Sequence, residues 1–255
     1  MVDFGQLTLF LYITARMTGF VQFSPLLGRQ GIPATFRGGF ILILSVFSFF
    51  LTDLTELAPP ATLLGFAVGV MLEMCLGFLL GMVTNFFFFI PQMAGQIMDT
   101  QMGMTMNQIY DTGSRANMSQ SSMLINILMT LLFFAANGHH TLLRMMVTSG
   151  NVVAYGGVSI GTDIVNVMLE LFMDCVVLGV KLCMPILAAE LLGQLGMGIL
   201  MKVIPQINVF SINIELKVII GLGLLLVLIA PFSEVLLKAE RTMLNTMSMI
   251  LSMTG

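Results

Sequence analysis

The chain has 255 residues, 57% of them hydrophobic and 9% charged, with a mean hydropathy of +1.00. Ordinary soluble domains carry roughly a quarter charged residues, so the composition predicts an integral membrane protein. The net charge of −3 is spread along the length without a basic patch, which sets nucleic acid aside as a partner.

Hydropathy divides the sequence into about six long apolar segments: Phe4 to Phe23, Phe36 to Leu51, Ala61 to Ile90, Met123 to Ala136, Ile164 to Leu192 and Ile214 to Leu237. Each is a helix candidate, so the expected fold class is all-α. The first segment follows Asp3 rather than a positive stretch and carries Arg16 with no small-residue cleavage site after it; it is expected to be retained. The third and fifth would be about 45 Å long at helical rise, well over the roughly 30 Å hydrocarbon core. Either they tilt strongly or they extend beyond the bilayer. Loop charges (Arg16, Arg29, Arg37, Lys202 and Lys217 against Asp53 and Glu56) place the first and last long loops in the cytoplasm and both termini outside, with Lys238 and Arg241 arguing the other way.

The third segment holds Gly65, Gly69, Glu73, Gly77 and Gly81, one every fourth residue. At 3.6 residues per turn such a ladder drifts about 40° per step. It reads as a packing seam that winds around a neighbour with a right-handed crossing, rather than as a hinge. Glu73, Glu170, Asp174, Lys181 and Glu190 lie inside apolar segments, where a lipid-exposed charge costs about 2.5–3.5 kcal/mol or more. They need partners or water. With no Trp and three Tyr, the interfacial aromatic belts are thin, so these helices are expected to face protein more than lipid.

The longest polar interruption runs from Pro91 to Ser122. It keeps Met93, Met98, Met102, Met104, Met106, Ile109 and Tyr110 among its Gln, Asp and Asn, which is not a flexible-linker composition. On an extended chain, favoured by Gly103, Met102, Met104 and Met106 would share one side. Such a row is either a soft, deformable plug or core filler.

Motifs for catalysis are sparse. His139 and His140 are adjacent, point apart on a helix and do not repeat the i, i+4 spacing of a zinc site. There is no phosphate-cradling glycine loop, nucleophile elbow or His-based triad, so no enzyme, metal or cofactor is expected. Cys75, Cys175 and Cys183 sit in apolar runs without CxxC spacing and read as buried thiols. Glu170, Asp174 and Lys181, at i, i+4 and i+11, fall on one helix face with Pro185 a turn beyond. They are either a proton relay, as in an ion-coupled secondary transporter, or a neutralised cluster buried between subunits.

The segment PQINVFSINIELK, from Pro205 to Lys217, resembles the PQ-N-(V/I)-F stretch before the final helix in the FliR family of flagellar type III export-gate proteins. Further resemblance lies in ARMTGFVQFSP with Arg16 and Pro25, GRQGIPATFR from Gly28 to Arg37, AGQIMDTQMG from Ala94 to Gly103, TMNQIYD ending at Asp111, and NGHH from Asn137 to His140. GRQGIPATFR and NGHH look more like the flagellar than the virulence (SctT-like) branch. The chain departs from the pattern after Asp111, where Thr112 replaces Pro, and before Lys217, where Asn213, Ile214 and Glu215 replace Gly-Phe-Pro.

The resemblance implies a protein built like a fusion of its partners FliP and FliQ. Residues 1–160 would be the FliP-like part, including a pore-plug loop at 91–122, and 161–255 a FliQ-like hairpin with a cytoplasmic loop at 202–217. One copy would complete a right-handed helical ring with FliP and FliQ in the bacterial inner membrane, at the flagellar basal body. FlhB would wrap the loop carrying Pro205, Gln206, Asn208, Phe210 and Lys217, with FlhA nearby. Unfolded flagellar proteins would be the cargo, and Met102, Met104, Met106 and Ile109 the plug residues.

Overall fold

The computed structural model describes residues 4–28, 31–52, 62–104, 109–111, 116–203 and 209–255. Seven helices carry the described chain: α1 (Phe4–Phe23), α2 (Ala34–Leu51), α3 (Leu63–Met102), α4 (Gln120–Ala135), α5 (Gly138–Val147), α6 (Thr162–Val203) and α7 (Val209–Thr254). Between α3 and α4 a short antiparallel ribbon pairs β1 (Ile109–Asp111) with β2 (Ala116–Met118), Ile109 opposite Met118 and Asp111 opposite Ala116. Among the described residues, four helices are long and apolar enough to cross a membrane (α2, α3, α6 and the Glu215–Thr254 part of α7), or five if α4 and α5 form one broken span. That is fewer than the six segments expected. α1 is not among them, and α4, at 16 residues, is short of a span on its own.

The long helices overrun their apolar segments. α3 has 40 residues, α6 has 42 and α7 has 46, each with one internal proline: Pro91, Pro185 and Pro231. At 1.5 Å per residue each is about 60 Å or longer. Hydropathy ended the third segment at Ile90, yet α3 continues to Met102, because its polar continuation still has a buried face in Ala94, Met98 and Met102. The helix stops at Gly103, whose φ of +79° is the left-handed value that ends helices. Gly103 is thus a helix terminator, and Met102 belongs to a helix, not to an extended row. The end of α7 was missed for a similar reason. Met243, Met247, Ile250 and Leu251 are buried at helical spacing while Arg241, Asn245 and Ser248 are exposed, an amphipathic pattern that averages out in hydropathy.

The chain forms two compact units that interleave in sequence. The first comprises residues 1–87, 137–172 and 240–255, the second 88–136 and 173–239. In the first, α1 packs against α2 and α2 against α5. Its core includes Ile13, Met17 and Phe20 of α1, Leu76, Leu80 and Val83 of α3, and Met243 and Met247 of α7. The Ser159 N–H donates to the Thr254 carbonyl at 3.1 Å, tying down the end of α7. In the second, Ile90, Ala94 and Met98 of α3, Ile125, Met129 and Phe133 of α4, Leu182, Cys183 and Ile186 of α6 and Leu225 and Leu236 of α7 are buried. All three cysteines are free thiols.

Candidate functional sites: a buried ion pair and the base of the polar segment

Arg16 is the only basic residue of α1 and is fully buried, as is Glu73 of α3. Their helices touch backbone to backbone where glycine removes the side chain. A Cβ at Gly77 would overlap the Arg16 carbonyl oxygen, and one at Gly19 would overlap that of Met74. This approach lets the Arg16 Nε donate to Glu73 Oε2 at 2.6 Å. The remaining guanidinium nitrogens donate to Ser149 Oγ at 3.1 Å and to the Val153 carbonyl at 3.2 Å, and the Gly156 N–H donates to Glu73 Oε1 at 2.8 Å. The guanidinium carbon also lies 4.2 Å from the Tyr155 ring centroid, and the Tyr155 hydroxyl meets Ser48 Oγ at 2.8 Å. Glu73, expected only as a lone charge in need of a partner, thus has a full set. A buried pair holds when each remaining donor and acceptor is also satisfied, and here both ions gather the 149–156 turn onto α1 and α3. Arg16 and Glu73 were each visible in the sequence as charges inside apolar segments, but nothing there paired the one with the other.

The second site is the root of the polar stretch, inside the other unit. Asp99, on the last turns of α3, is 1% exposed. Its carboxylate accepts the Ser121 N–H at 3.0 Å and a bond from the Ser121 hydroxyl. One turn and two turns earlier the helix makes room for the same strand of chain. A Cβ at Gly95 would overlap the Ser122 backbone, and the Ser122 hydroxyl donates to the Gln92 carbonyl at 2.7 Å. Ser119 caps α4, its oxygen accepting from Ser122 N at 3.4 Å and meeting Ser122 Oγ at 2.7 Å. A free helix N-terminus leaves four N–H groups unpaired; Asp99 takes one of them and Ser119 another. At the end of α3, Met102 is fully buried, and a Cβ at Gly221 of α7 would strike its side chain; Met104 is 7% exposed.

Ile109 lies on β1, and Met106 lies outside the described residues. Along the glycine ladder, Gly69 faces the Tyr12 ring, Gly77 the Arg16 backbone and Gly81 Phe20 and Phe23, all on α1, whereas the sole near neighbour of Gly65 among the described residues is Thr62. Glu170, Asp174 and Lys181 are each exposed on α6. Glu190 is fully buried, and neither carboxylate oxygen has a hydrogen-bond partner among the described residues. Pro205, Gln206 and Asn208 lie outside the described residues; Phe210 lies on α7, and Lys217 on α7 is half-buried. The rings of His139 and His140 do not point apart as expected but lie close and tilted, with centroids 4.2 Å apart and planes at 38°, at the start of α5 after left-handed Asn137 at φ 59°. Among the described residues no cluster of His, Cys, Asp or Glu could hold a metal ion.

These features define a helical membrane protein that buries an ion pair within its own fold and ties down a polar, Met-rich segment at both ends. Residues 7–243 match the family described as bacterial export proteins, family 1, and the chain belongs to that family. It is similar to flagellar biosynthetic protein FliR of Buchnera aphidicola from Baizongia pistaciae, 28% identical over 243 residues, 90% of either chain. It is also similar to FliR of Bacillus subtilis, 25% identical over 96% of this chain and 95% of that one, and to FliR of Escherichia coli, 25% identical over 89% and 88%.

Proposed function

We propose that the chain is the FliR-type subunit of the flagellar type III protein export gate, forming with FliP and FliQ the channel that passes unfolded flagellar proteins across the inner membrane. Similarity to flagellar FliR proteins over about nine tenths of the chain carries this reading. Its role is structural and not enzymatic. Residues 1–160 are the FliP-like part and 161–255 the FliQ-like hairpin; α6 runs to Val203 and α7 starts at Val209, so the expected 202–217 loop is helical at both ends, and FlhB wraps the tip between the two helices, with FlhA nearby. The exposure of Glu170, Asp174 and Lys181 on an apolar helix supports an interface with FliP or FliQ there. The packing of α1 against Gly69 through the Tyr12 ring, and against Gly77 and Gly81 through its backbone, supports the seam reading for these glycines.

Within this reading the stretch around β1 closes the resting channel. Met102 and Met104 form its root, and Met106 and Ile109 the apolar constriction, which blocks ions by dewetting. Native mass spectrometry of the chain expressed with and without the small membrane proteins of its operon tests the assembly: the expected result is a discrete hetero-oligomer with one copy of this chain, and a stable monomer indifferent to those partners refutes it. For the plug, Met106→Gly with Ile109→Gly in the assembled gate is expected to raise ion conductance across a planar bilayer.

A further inference from the structure

From Thr112 to Thr162 the chain has no acidic residue, while it carries Arg115, His139, His140 and Arg144. The last three lie on α5, which buries Leu142 and Met146 and leaves His140, Thr141 and Arg144 exposed. His140 and Arg144 are four residues apart and so share a helix face. With Thr141 they line an open cleft of about 380 Å³ inside the first unit. Among the described residues the Arg144 guanidinium has no ion-pair partner, since the Glu73 carboxylate is taken by Arg16. The Thr141 hydroxyl is held only by a long bond of 3.5 Å to the Asn137 carbonyl.

We propose that this cleft binds a phosphate group, that of an anionic lipid headgroup or of free phosphate, with Arg144 as its counter-ion and His140 and Thr141 as further donors. A guanidinium only donates, and an imidazole offers at least one N–H in either protonation state. A tetrahedral phosphate can present an oxygen to each of the three side chains, whereas a carboxylate has two oxygens in one plane. The level of the cleft suits a headgroup. α2 is among the helices long enough to cross a membrane, and at 18 residues it is about 27 Å long, close to the roughly 30 Å core. Its Ser48, three residues from the end, donates to the Val147 carbonyl of α5 at 3.1 Å. Arg144 lies three residues before Val147, within about one turn of that boundary.

The test uses the full chain co-purified with its partner membrane proteins, stripped of lipid in phosphate-free detergent, with saturable binding read by native mass spectrometry. Three probes are titrated: inorganic phosphate, dihexanoyl phosphatidylglycerol as a soluble anionic headgroup, and a hexaglutamate peptide. Losing a charged hydrogen bond weakens binding about tenfold or more. Arg144→Gln is expected to do so, His140→Gln to weaken binding less, and Arg144→Lys, which keeps the charge without the planar fork, to recover part of the loss. Arg241→Gln removes an exposed charge from α7 and is expected to change nothing. Saturation by phosphatidylglycerol alone assigns the cleft to a lipid headgroup; saturation by inorganic phosphate, alone or in competition with the lipid, assigns it to the phosphate group itself. Absence of saturable binding of either, a preference for hexaglutamate, or an equal loss in Arg241→Gln overturns the proposal. If Arg144→Gln does not accumulate, His140→Gln and Arg144→Lys decide, and parent-like binding by both overturns it.

Discussion

Glu73 and Asp99 are carried by the same helix and are equally hidden from solvent, yet they are satisfied in different ways. Glu73 faces a guanidinium and one backbone N–H, and that guanidinium is itself bonded to Ser149 and Val153. Asp99 faces the hydroxyl and N–H of one serine. Separating the first pair strands two opposite charges in a dry interior, whereas the donors of the second belong to one neutral serine. The difference identifies the joint among α1, α3 and the 149–156 turn as the costlier one to break.

The largest effect expected follows from that contrast. Arg16→Ala or Glu73→Ala leaves an uncompensated buried charge at a cost of about 3–5 kcal/mol, a large share of a typical folding free energy. The assembled complex should then fail to accumulate, as read by size-exclusion yield. Arg16→Met with Glu73→Met should recover part of that yield, since removing both charges is far cheaper than removing one. Single variants that assemble normally would break the comparison.

Next come the glycines. Gly77→Val drives a side chain into the Arg16 carbonyl, backbone that cannot step aside, and should cost about 1–3 kcal/mol or more by overpacking. A lowered midpoint in thermal unfolding of the complex measures it. Gly95→Ala should behave alike against Ser122. Gly221→Ala should cost less, because the Met102 side chain it meets is flexible.

Smaller still is Ser119→Ala, about 1 kcal/mol for a lost N-cap, which should appear as faster hydrogen exchange in the first turn of α4. Gly65→Ala is expected to be neutral or to stabilise by up to about 1 kcal/mol through helix propensity, because among the described residues only Thr62 is near. A penalty there equal to that of Gly77 would mean that the whole ladder meets a partner, and would sharpen the seam reading.

Membrane class, helical fold and family were legible from composition, from the apolar runs and from dispersed motifs such as AGQIMDTQMG and NGHH. These properties follow from the chain's own solvation and from local order, so they need no knowledge of what touches what. Helix ends were less legible. Hydropathy averages over both faces of a helix, so it lost the polar half of α3 after Ile90 and the amphipathic end of α7 after Leu237. The alternation of Met102, Met104 and Met106 suggested an extended strand, but Met102 sits on the last turn of α3, since burial of Met98 and Met102 outweighs a local pattern.

Which charge meets which was decided by the tertiary structure. Arg16 and Glu73 are 57 positions apart, Asp99 and Ser121 are 22 apart, and nothing local to any of them names its partner. By itself the sequence determined that buried charges exist and that small residues recur every fourth position, because both are properties of composition and spacing. Only the fold decided that Gly77 brings the backbones of α1 and α3 close enough for an ion pair, and that Gly95 does the same for α3 and α4 beside the bonds from Ser121 to Asp99. The physical reason is range: burial preference is written residue by residue, whereas a hydrogen bond needs two groups within about 3 Å, a condition that only packing can meet.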